Sequence, residues 1–268
     1  MKQRLDTLLV DLNLCESRSK AGLLIRAGEV KVNQRIIDKP GTEVDPAAEI
    51  ELKQKPPYVS RGGVKLARAL EVFAIDIRGR ICLDGGISTG GFTDCLLQAG
   101  AKQVYGVDVG YGQVAWSIRQ NPQVVLKERT NFRYLTPTNL YGKKRAADFG
   151  VMDLSFISLR KVLDVLWNLL VSPREVVLLI KPQFEVGRNL VGKKGVVRNP
   201  IHQAEAISQV LATAKKLGWQ YEGLIPSPIV GPAGNIEYLL WLSTNSRNPG
   251  IQVSDIQQVT NQARALLQ

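Results

Sequence analysis

The chain has 268 residues, 44% hydrophobic and 22% charged, which is the composition of an ordinary globular protein and excludes a disordered or fibrous one. Lysine and arginine outnumber aspartate and glutamate by 35 to 24, so the net charge of +11 favours a polyanionic partner, with nucleic acid ahead of an anionic membrane. The sequence has no apolar run of the ~18 residues that a membrane span needs, and its three dispersed cysteines and one histidine offer neither a disulfide framework nor a zinc site. We therefore expect a cytoplasmic protein that needs no metal and has no stable membrane association, while its oligomeric state stays open.

The first 55 residues carry the pattern of a small unit of helices and strands. Four leucines between Leu5 and Leu12 recur at helical spacing. Ser17 is placed to cap a second helix, and Gly28 is placed to end it. We predict helices at 5–12 and 17–27, strands at 29–34 and 49–52, a domain at 1–55 and a proline-containing linker at 56–60.

Six basic side chains of this unit could gather on one surface and face phosphates, although a solvated helix face would show the same pattern. The six candidates for RNA binding are Arg4, Arg18, Lys20, Arg26, Lys31 and Arg35. The segments 4–6, 17–21 and 24–33 resemble, in order and spacing, the small RNA-binding fold of ribosomal protein S-four and of pseudouridine synthases. The resemblance implies that the unit binds structured RNA.

From residue 61 onward, apolar strands alternate with helical patterns, which is typical of a doubly wound, mostly parallel α/β sheet. We predict seven strands at 81–84, 103–108, 124–127, 147–153, 175–181, 219–225 and 235–243, and helices at 92–99, 112–119, 158–170 and 200–217. The last two strands have no helix between them, so we expect an antiparallel hairpin at the sheet edge. The α/β domain is predicted at 61–245 and a C-terminal tail with a helix at 246–268.

A glycine-rich turn follows the first of these strands and allows three interpretations. A dinucleotide site would need G-x-G-x-x-G spacing, and Asp84 at the strand end would repel a pyrophosphate. A hydrolase elbow would use the G-x-S-x-G pattern centred on Ser88, with Asp153 and His202 in the required chain order. This second match is weakened because His202 opens a predicted helix after a long basic loop.

The third interpretation is an S-adenosyl-L-methionine site. Asp84 suits the cationic amino-acid part of that molecule, and Asp108 ends the next strand, where an acid can hold ribose hydroxyls. Asn131 and Phe132 are placed to line an adenine pocket, with Phe132 equally suited to the core. The predicted cofactor-binding residues are Asp84, Gly86, Ser88, Thr89, Gly90, Gly91, Phe92, Asp108, Asn131 and Phe132.

Four further charges lie in unusual sequence contexts. Asp153 and Lys181 each end an apolar strand, so both are expected at the ligand-binding edge of the sheet. Lys65 begins a predicted helix, and Glu237 lies within an apolar strand, where a charge needs a partner. A lysine amine at that edge could take the proton of a hydroxyl that is being methylated.

The segments 58–66, 84–94, 152–158, 180–185 and 231–238 resemble the TlyA family of ribosomal-RNA 2′-O-methyltransferases, historically labelled haemolysin A. The resemblance implies a Rossmann-like class I methyltransferase fold that uses S-adenosyl-L-methionine and modifies a cytidine ribose in ribosomal RNA or ribosomal subunits. It also implies that Lys65, Asp153, Lys181 and Glu237 form the catalytic tetrad shared with FtsJ-type enzymes. Gly85 departs from the β-branched residue expected after the motif aspartate, so we expect a looser loop there.

Basic residues outside the first unit extend the predicted RNA surface over the cleft. They are Arg61, Lys193, Lys194 and Arg198. Two other functions stay open: a non-catalytic RNA-binding factor of ribosome assembly, and a membrane-lytic haemolysin, for which the sequence lacks a strongly amphipathic helix.

Overall fold

The structure is a computed structural model that describes residues 2–53 and 56–267. The chain divides into two compact units, residues 1–56 and 57–268. The predicted boundary at Lys55 falls on a residue outside the described part, as do Met1, Gln54 and Gln268.

The first unit packs two helices against short antiparallel strands. Its elements are β1 (Gln3–Arg4), α1 (Leu5–Asp11), α2 (Arg18–Arg26), β2 (Val30–Val32), β3 (Arg35–Ile36), β4 (Glu43–Val44) and β5 (Ile50–Leu52). The hydroxyl of Ser17 accepts a hydrogen bond from the Lys20 amide and caps α2, while Gly28, with φ +69°, follows the helix end. Strand β2 pairs with β5 as well as with β3, and β1 pairs with β4. The two-residue strands are too short to have a detectable period in the sequence.

The second unit is a layered α/β domain. Its elements are α3 (Gly62–Val72), β6 (Ile81–Gly85), α4 (Gly91–Gln98), β7 (Gln103–Val107), α5 (Trp116–Arg119), β8 (Val124–Lys127), α6 (Pro137–Tyr141), β9 (Phe149–Met152), α7 (Leu163–Leu169), β10 (Glu175–Ile180), α8 (Pro182–Glu185), α9 (Pro200–Leu217), β11 (Gln220–Pro226), β12 (Tyr238–Ser243) and α10 (Val253–Leu267).

Seven strands form one sheet in the order β11-β12-β10-β9-β6-β7-β8. The pairings among β10, β9, β6, β7 and β8 are parallel, and β12 runs antiparallel to both of its neighbours. The predicted fold class, a seven-stranded mostly parallel sheet with an antiparallel edge hairpin, is therefore confirmed.

Both faces of this sheet are covered, which explains why its strands are almost continuously apolar. On β10, Leu178 packs in the core that includes α7, α9 and α10, while Val177 and Leu179 pack in the core on the opposite face with α3 and α4. Alternate residues thus serve opposite layers, as the pleat of a strand requires.

Two predicted helices are wrong in extent. The segment predicted at 112–119 is helical only from Trp116, because Gly112 has φ +74° and its amide donates to the Glu128 carboxylate at 2.8 Å. The segment predicted at 158–170 contains a 3₁₀ turn at 159–161 and α7, because Val162 between them leaves the helical conformation, with φ −131° and ψ −8°. Neither the positive φ of Gly112 nor the non-helical dihedrals of Val162 has a signal in the hydrophobic period of the sequence.

Candidate active site

Strand order places the candidate site at one edge of the sheet. Strands β9 and β10 are parallel neighbours, so Asp153 and Lys181, which follow them directly, emerge side by side. Strand β12 is antiparallel to β10 with Tyr238 opposite Ile180, so Glu237 reaches the same edge from the other direction. Lys65 joins them from the first turn of α3.

Two ion pairs form at this edge. The Lys65 Nζ lies 2.5 Å from Oε2 of Glu237, and their side chains are 9% and 1% exposed. The Lys181 Nζ lies 2.7 Å from Oδ1 of Asp153, outside the angles of a hydrogen bond, so that contact is electrostatic. All four side chains line one cleft of about 280 Å³, so the structure brings the four predicted catalytic residues together.

Ser155 is a member of this group that the sequence analysis missed. Its Oγ accepts a hydrogen bond from the Lys181 Nζ at 2.9 Å, and it lines the same cleft. The available signal was its position, two residues after the strand-end Asp153.

The glycine-rich turn lets the backbone come close to this edge. Gly86 has φ +85°, and a Cβ there would lie 2.6 Å from the Asp153 carbonyl oxygen. A Cβ on Gly91 would lie 2.2 Å from Oγ of Ser60. These two positions therefore exclude any side chain, whereas Ser88, Thr89 and Phe92 contribute side chains to the cleft wall.

A second, larger cleft of about 870 Å³ adjoins the first, and Gly86, Ser88, Asp153 and Ser155 line both. Asp108, Asn131 and Phe132 also line the larger cleft. The carboxylate of Asp108 accepts hydrogen bonds from the amides of Ser88 at 2.8 Å and Gly110 at 2.7 Å. Each of its oxygens keeps a lone pair for a further donor, so the carboxylate is held ready for a ligand.

Phe132 and Asn131 each have a second, structural contact. Phe132 is 4% exposed and belongs mainly to the core. Asn131 caps a 3₁₀ turn by accepting from the Arg133 amide at 3.1 Å.

Asp84 lies beneath the glycine-rich turn and lines neither of these two clefts among the described residues. It is fully buried, and its Oδ2 accepts a hydrogen bond from the Thr93 hydroxyl at 2.7 Å while its Oδ1 has no hydrogen-bond partner in the described part of the chain. Burial raises the pKa of this carboxyl from 3.8 to about 7. The predicted direct contact of Asp84 with a cofactor stays a prediction.

The structure explains why a glycine, and not the expected β-branched residue, lies at position 85. It lies opposite Met152 in the β6–β9 register, and a Cβ at Gly85 would lie 2.4 Å from the Met152 Sδ. The thioether therefore occupies the space that a branched side chain would take.

The hydrolase interpretation requires a histidine base beside Ser88, and the structure does not place His202 at the clefts. Ser88 and Asp153 line the larger cleft, but His202 lies in the first turn of α9 and lines neither of the two clefts. A nucleophile and its base must lie within hydrogen-bond reach.

The predicted RNA-binding residues differ in how far they are already engaged. Arg4 and Arg18 both contact the buried carboxylate of Asp6, and hydrogen bonding from Arg4 first of all holds the pKa of Asp6 well below its usual range. Lys20 pairs with Glu16 and Lys31 pairs with Glu51. The remaining candidates are exposed: Arg26 and Arg35 in the first unit, and Arg61, Lys193, Lys194 and Arg198 in the second. Arg61 also lines the smaller cleft.

The helices and the possible metal ligands of the described residues bear on the membrane and metal interpretations. None of the helices among them has the length and apolar character to cross a membrane. Within the same residues, no group of three or more His, Cys, Asp or Glu side chains could hold a metal ion.

Two family models match the chain. The model of the FtsJ-like methyltransferase matches residues 58–244, and that of the S4 domain matches residues 3–50.

Relatives match over almost the full length. The 16S/23S rRNA (cytidine-2′-O)-methyltransferase TlyA of Mycobacterium tuberculosis is 47% identical over 247 residues, which are 91% of this chain and 91% of that protein. Hemolysin A of Brachyspira hyodysenteriae is 38% identical over 88% of this chain and 98% of that protein. A solved structure from Streptococcus thermophilus, described as a hemolysin, is 41% identical with a TM-score of 0.75 and covers 98% of this chain and 96% of its own.

Proposed function

This chain belongs to the TlyA family of FtsJ-like methyltransferases, and from that premise we propose that it methylates a ribose 2′-hydroxyl of ribosomal RNA. The proposed donor is S-adenosyl-L-methionine, the proposed nucleoside is cytidine, and the proposed compartment is the cytoplasm. The observation that carries the proposal is the placement of Lys181. Its amine lies between Asp153 and Ser155, which line both adjoining clefts.

The larger cleft carries polar groups that the proposed donor would need. Asp108 would hold the ribose hydroxyls, because both of its oxygens keep lone pairs beyond their contacts with the loop amides. Asn131 and Phe132 would border the adenine ring. The backbone at Gly86 would pass close to the amino-acid part of the donor. When bound, the donor supplies a methyl group on a positively charged sulfur.

The smaller cleft would receive the target ribose. There the Lys181 amine would accept the 2′-hydroxyl proton, while the adjacent Asp153 carboxylate stabilises the positive charge that this transfer creates. The buried pair of Lys65 and Glu237 forms another part of the wall, where each side chain is the other's polar partner away from water.

The S4 domain at 3–50 would bind structured RNA through its basic side chains. All four arginines of this domain are exposed. Arg26 and Arg35 form no ion pair among the described residues, while Arg4 and Arg18 are oriented by Asp6. Ribosomal RNA or a ribosomal subunit is the proposed partner.

The proposal is tested by transfer of labelled methyl from S-adenosyl-L-methionine to ribosomal RNA from a strain that lacks this protein. The wild type should give label that survives alkali, and Lys181→Ala should reduce it by about 10²- to 10⁴-fold, the range for loss of a general base. Lys102→Ala, at an exposed lysine beside the start of β7, is the matched control and should keep full activity.

An absence of label on both free RNA and intact subunits would favour the non-catalytic assembly factor. Leakage of liposomes by the purified protein would instead favour the membrane-lytic function.

A further inference from the structure

We propose that Ser155 is a positioning residue, which fixes the rotation of the Lys181 amine so that its lone pair points at the ribose 2′-hydroxyl. The inference deepens the proposed function and rests on it.

The two contacts of the Lys181 amine differ in kind. The Asp153 carboxylate lies 2.7 Å from Nζ but outside hydrogen-bond angles, so its attraction for the amine is electrostatic and only weakly directional. The Ser155 hydroxyl accepts a hydrogen bond from Nζ at 2.9 Å, and this contact is directional. A neutral amine with one N–H fixed on Ser155 and the other drawn toward Asp153 has its lone pair in the last tetrahedral direction. Ser155 thus supplies the orientation that Asp153 alone does not.

The backbone conformation around Ser155 supports this role. Phe156 has φ +65°, which is rare for a residue with a side chain, and its ring is 92% exposed, with a tilted contact to the Phe184 ring at 5.4 Å between centroids. Such strain is concentrated at functional sites. Here the strained turn directly follows the residue that contacts Lys181.

The other end of the turn is anchored independently. The buried carboxylate of Glu185 accepts from the Ser158 hydroxyl at 2.6 Å and from the Leu159 amide at 2.7 Å. Glu185 ends α8, whose first residue follows Lys181 directly. The loop that carries Ser155 is therefore attached to the same segment as the lysine that it orients.

The proposed proton transfer and methyl transfer take place in one displacement, in which each bond that forms is matched by one that breaks. In the proposed step, the Lys181 Nζ would take the proton of the ribose hydroxyl as the oxygen forms its bond to the methyl carbon. The electron pair of the broken carbon–sulfur bond would stay on the sulfur, so the donor would leave as a neutral thioether. The resulting ammonium keeps its hydrogen bond to Ser155 and its ion pair with Asp153, and it later loses the extra proton to water.

The test compares Ser155→Ala, Ser155→Thr and the control Ser117→Ala, which changes an exposed serine on α5. Ser155→Ala should lower kcat about tenfold to a hundredfold, the range for loss of one hydrogen bond to a charged group. The KM values for donor and RNA should stay within about twofold, because ground-state binding is retained. Ser155→Thr should restore most of kcat, since it keeps the hydroxyl.

The kcat–pH profile distinguishes orientation of the amine from a general loosening of the loop. Loss of the Ser155 acceptor destabilises the ammonium form, so the acid limb of the profile should move to lower pH in Ser155→Ala and return in Ser155→Thr. The other charged side chains of the smaller cleft are the same in every variant: Arg61, Lys65, Asp153 and Glu237.

Full kcat in Ser155→Ala would overturn the inference, and so would a lowered kcat with an unmoved acid limb and no recovery in Ser155→Thr. Ser155→Cys, which has nearly the same shape and a weaker acceptor, replaces the alanine variant if that variant does not fold, and an intermediate kcat is expected. Absence of methyl transfer by the wild type would instead overturn the proposed function itself.

Discussion

The two ends of the central sheet both carry clustered charges, but the clusters differ in what their polar atoms contact. At the start of the parallel strands, Arg80 lies between Asp148 and Glu175, bonding both carboxylates and the Asp148 carbonyl, with all three side chains at most 20% exposed. Its guanidinium also lies over the Phe149 ring, 4.9 Å from the centroid. At the other end, the Lys181 amine makes one hydrogen bond among the described residues, to Ser155, together with its ion pair to Asp153, and it faces a cleft.

The comparison separates a structural charge cluster from a reactive one. Arg80 directs its donors at protein acceptors and has a guanidinium that does not lose its proton. Lys181, by contrast, has an amine that can lose its proton. This amine also has an N–H left to contact a ligand. A charge at a strand end therefore indicates chemistry when its hydrogen-bonding capacity is incompletely used and directed at a cleft.

The largest effect is expected from Lys181→Met, which keeps the side-chain length and removes the amine. Methyl transfer should fall by about 10²- to 10⁴-fold. The melting temperature should change little, because the neighbouring Asp153 is 23% exposed and reaches water. Label transfer and thermal melting are measured in parallel. A fall in the melting temperature together with the fall in methyl transfer would contradict this prediction.

The carboxyl end also contains the buried carboxyl group of Asp84, which has no ion pair and lines neither cleft in the described part of the chain. Burial raises the folded-state pKa of Asp84 from 3.8 to about 7, so the folded protein binds an extra proton between about pH 4 and pH 7. The contribution of Asp84 to the free energy of unfolding is therefore fully present below pH 4 and is lost as the pH rises through 7. Relative to wild type, Asp84→Asn should gain up to about 4 kcal/mol between pH 4 and pH 8.

Urea unfolding of wild type and Asp84→Asn across that pH range measures the difference. A gap that is constant with pH would show that Asp84 remains ionised throughout.

At the opposite end, Arg80→Met should destabilise the fold by about 3 kcal/mol, since it leaves two carboxylates without their shared cation. Methyl transfer per folded molecule should be unchanged at low temperature, because Arg80 lines neither of the two clefts. Arg78→Met is the control, as that side chain is 81% exposed. If Arg80→Met lost activity but not stability, the Arg80 cluster would not be purely structural, and the proposed difference between the two ends would be wrong.

The smallest effect concerns donor binding. Asp108→Ala should weaken binding of S-adenosyl-L-methionine about tenfold, the cost of losing a hydrogen bond to a charged group. Calorimetry with Asp164→Ala, an exposed acid on α7, as the control measures it. An unchanged Kd would remove Asp108 from the donor site.

The sequence predicted the elements that follow one regular pattern. Apolar runs predicted all seven strands of the large sheet, and the ends of two of these runs predicted that Asp153 and Lys181 lie at one edge. Glu237 was recognised as a charge that needs a partner, and the structure supplies Lys65 at 2.5 Å.

The missed features depend on contacts between distant residues. The turn at Phe156 has φ +65° without a glycine to indicate it, so nothing local predicted that Ser155 would contact Lys181. The late start of α5 similarly depends on Glu128, 16 residues after the Gly112 amide that it binds. Hydrophobic periodicity carries no information about such contacts.

The contact between Gly85 and Met152 makes the two positions interdependent. They face each other on neighbouring strands, and the missing side chain of one is the space filled by the other. A branched residue at 85 alone would overpack the strand ends, and a smaller residue at 152 alone would leave a void. Both changes together would redistribute the same volume, so in diverging sequences the two positions are expected to change as a pair, through an intermediate less stable than either endpoint.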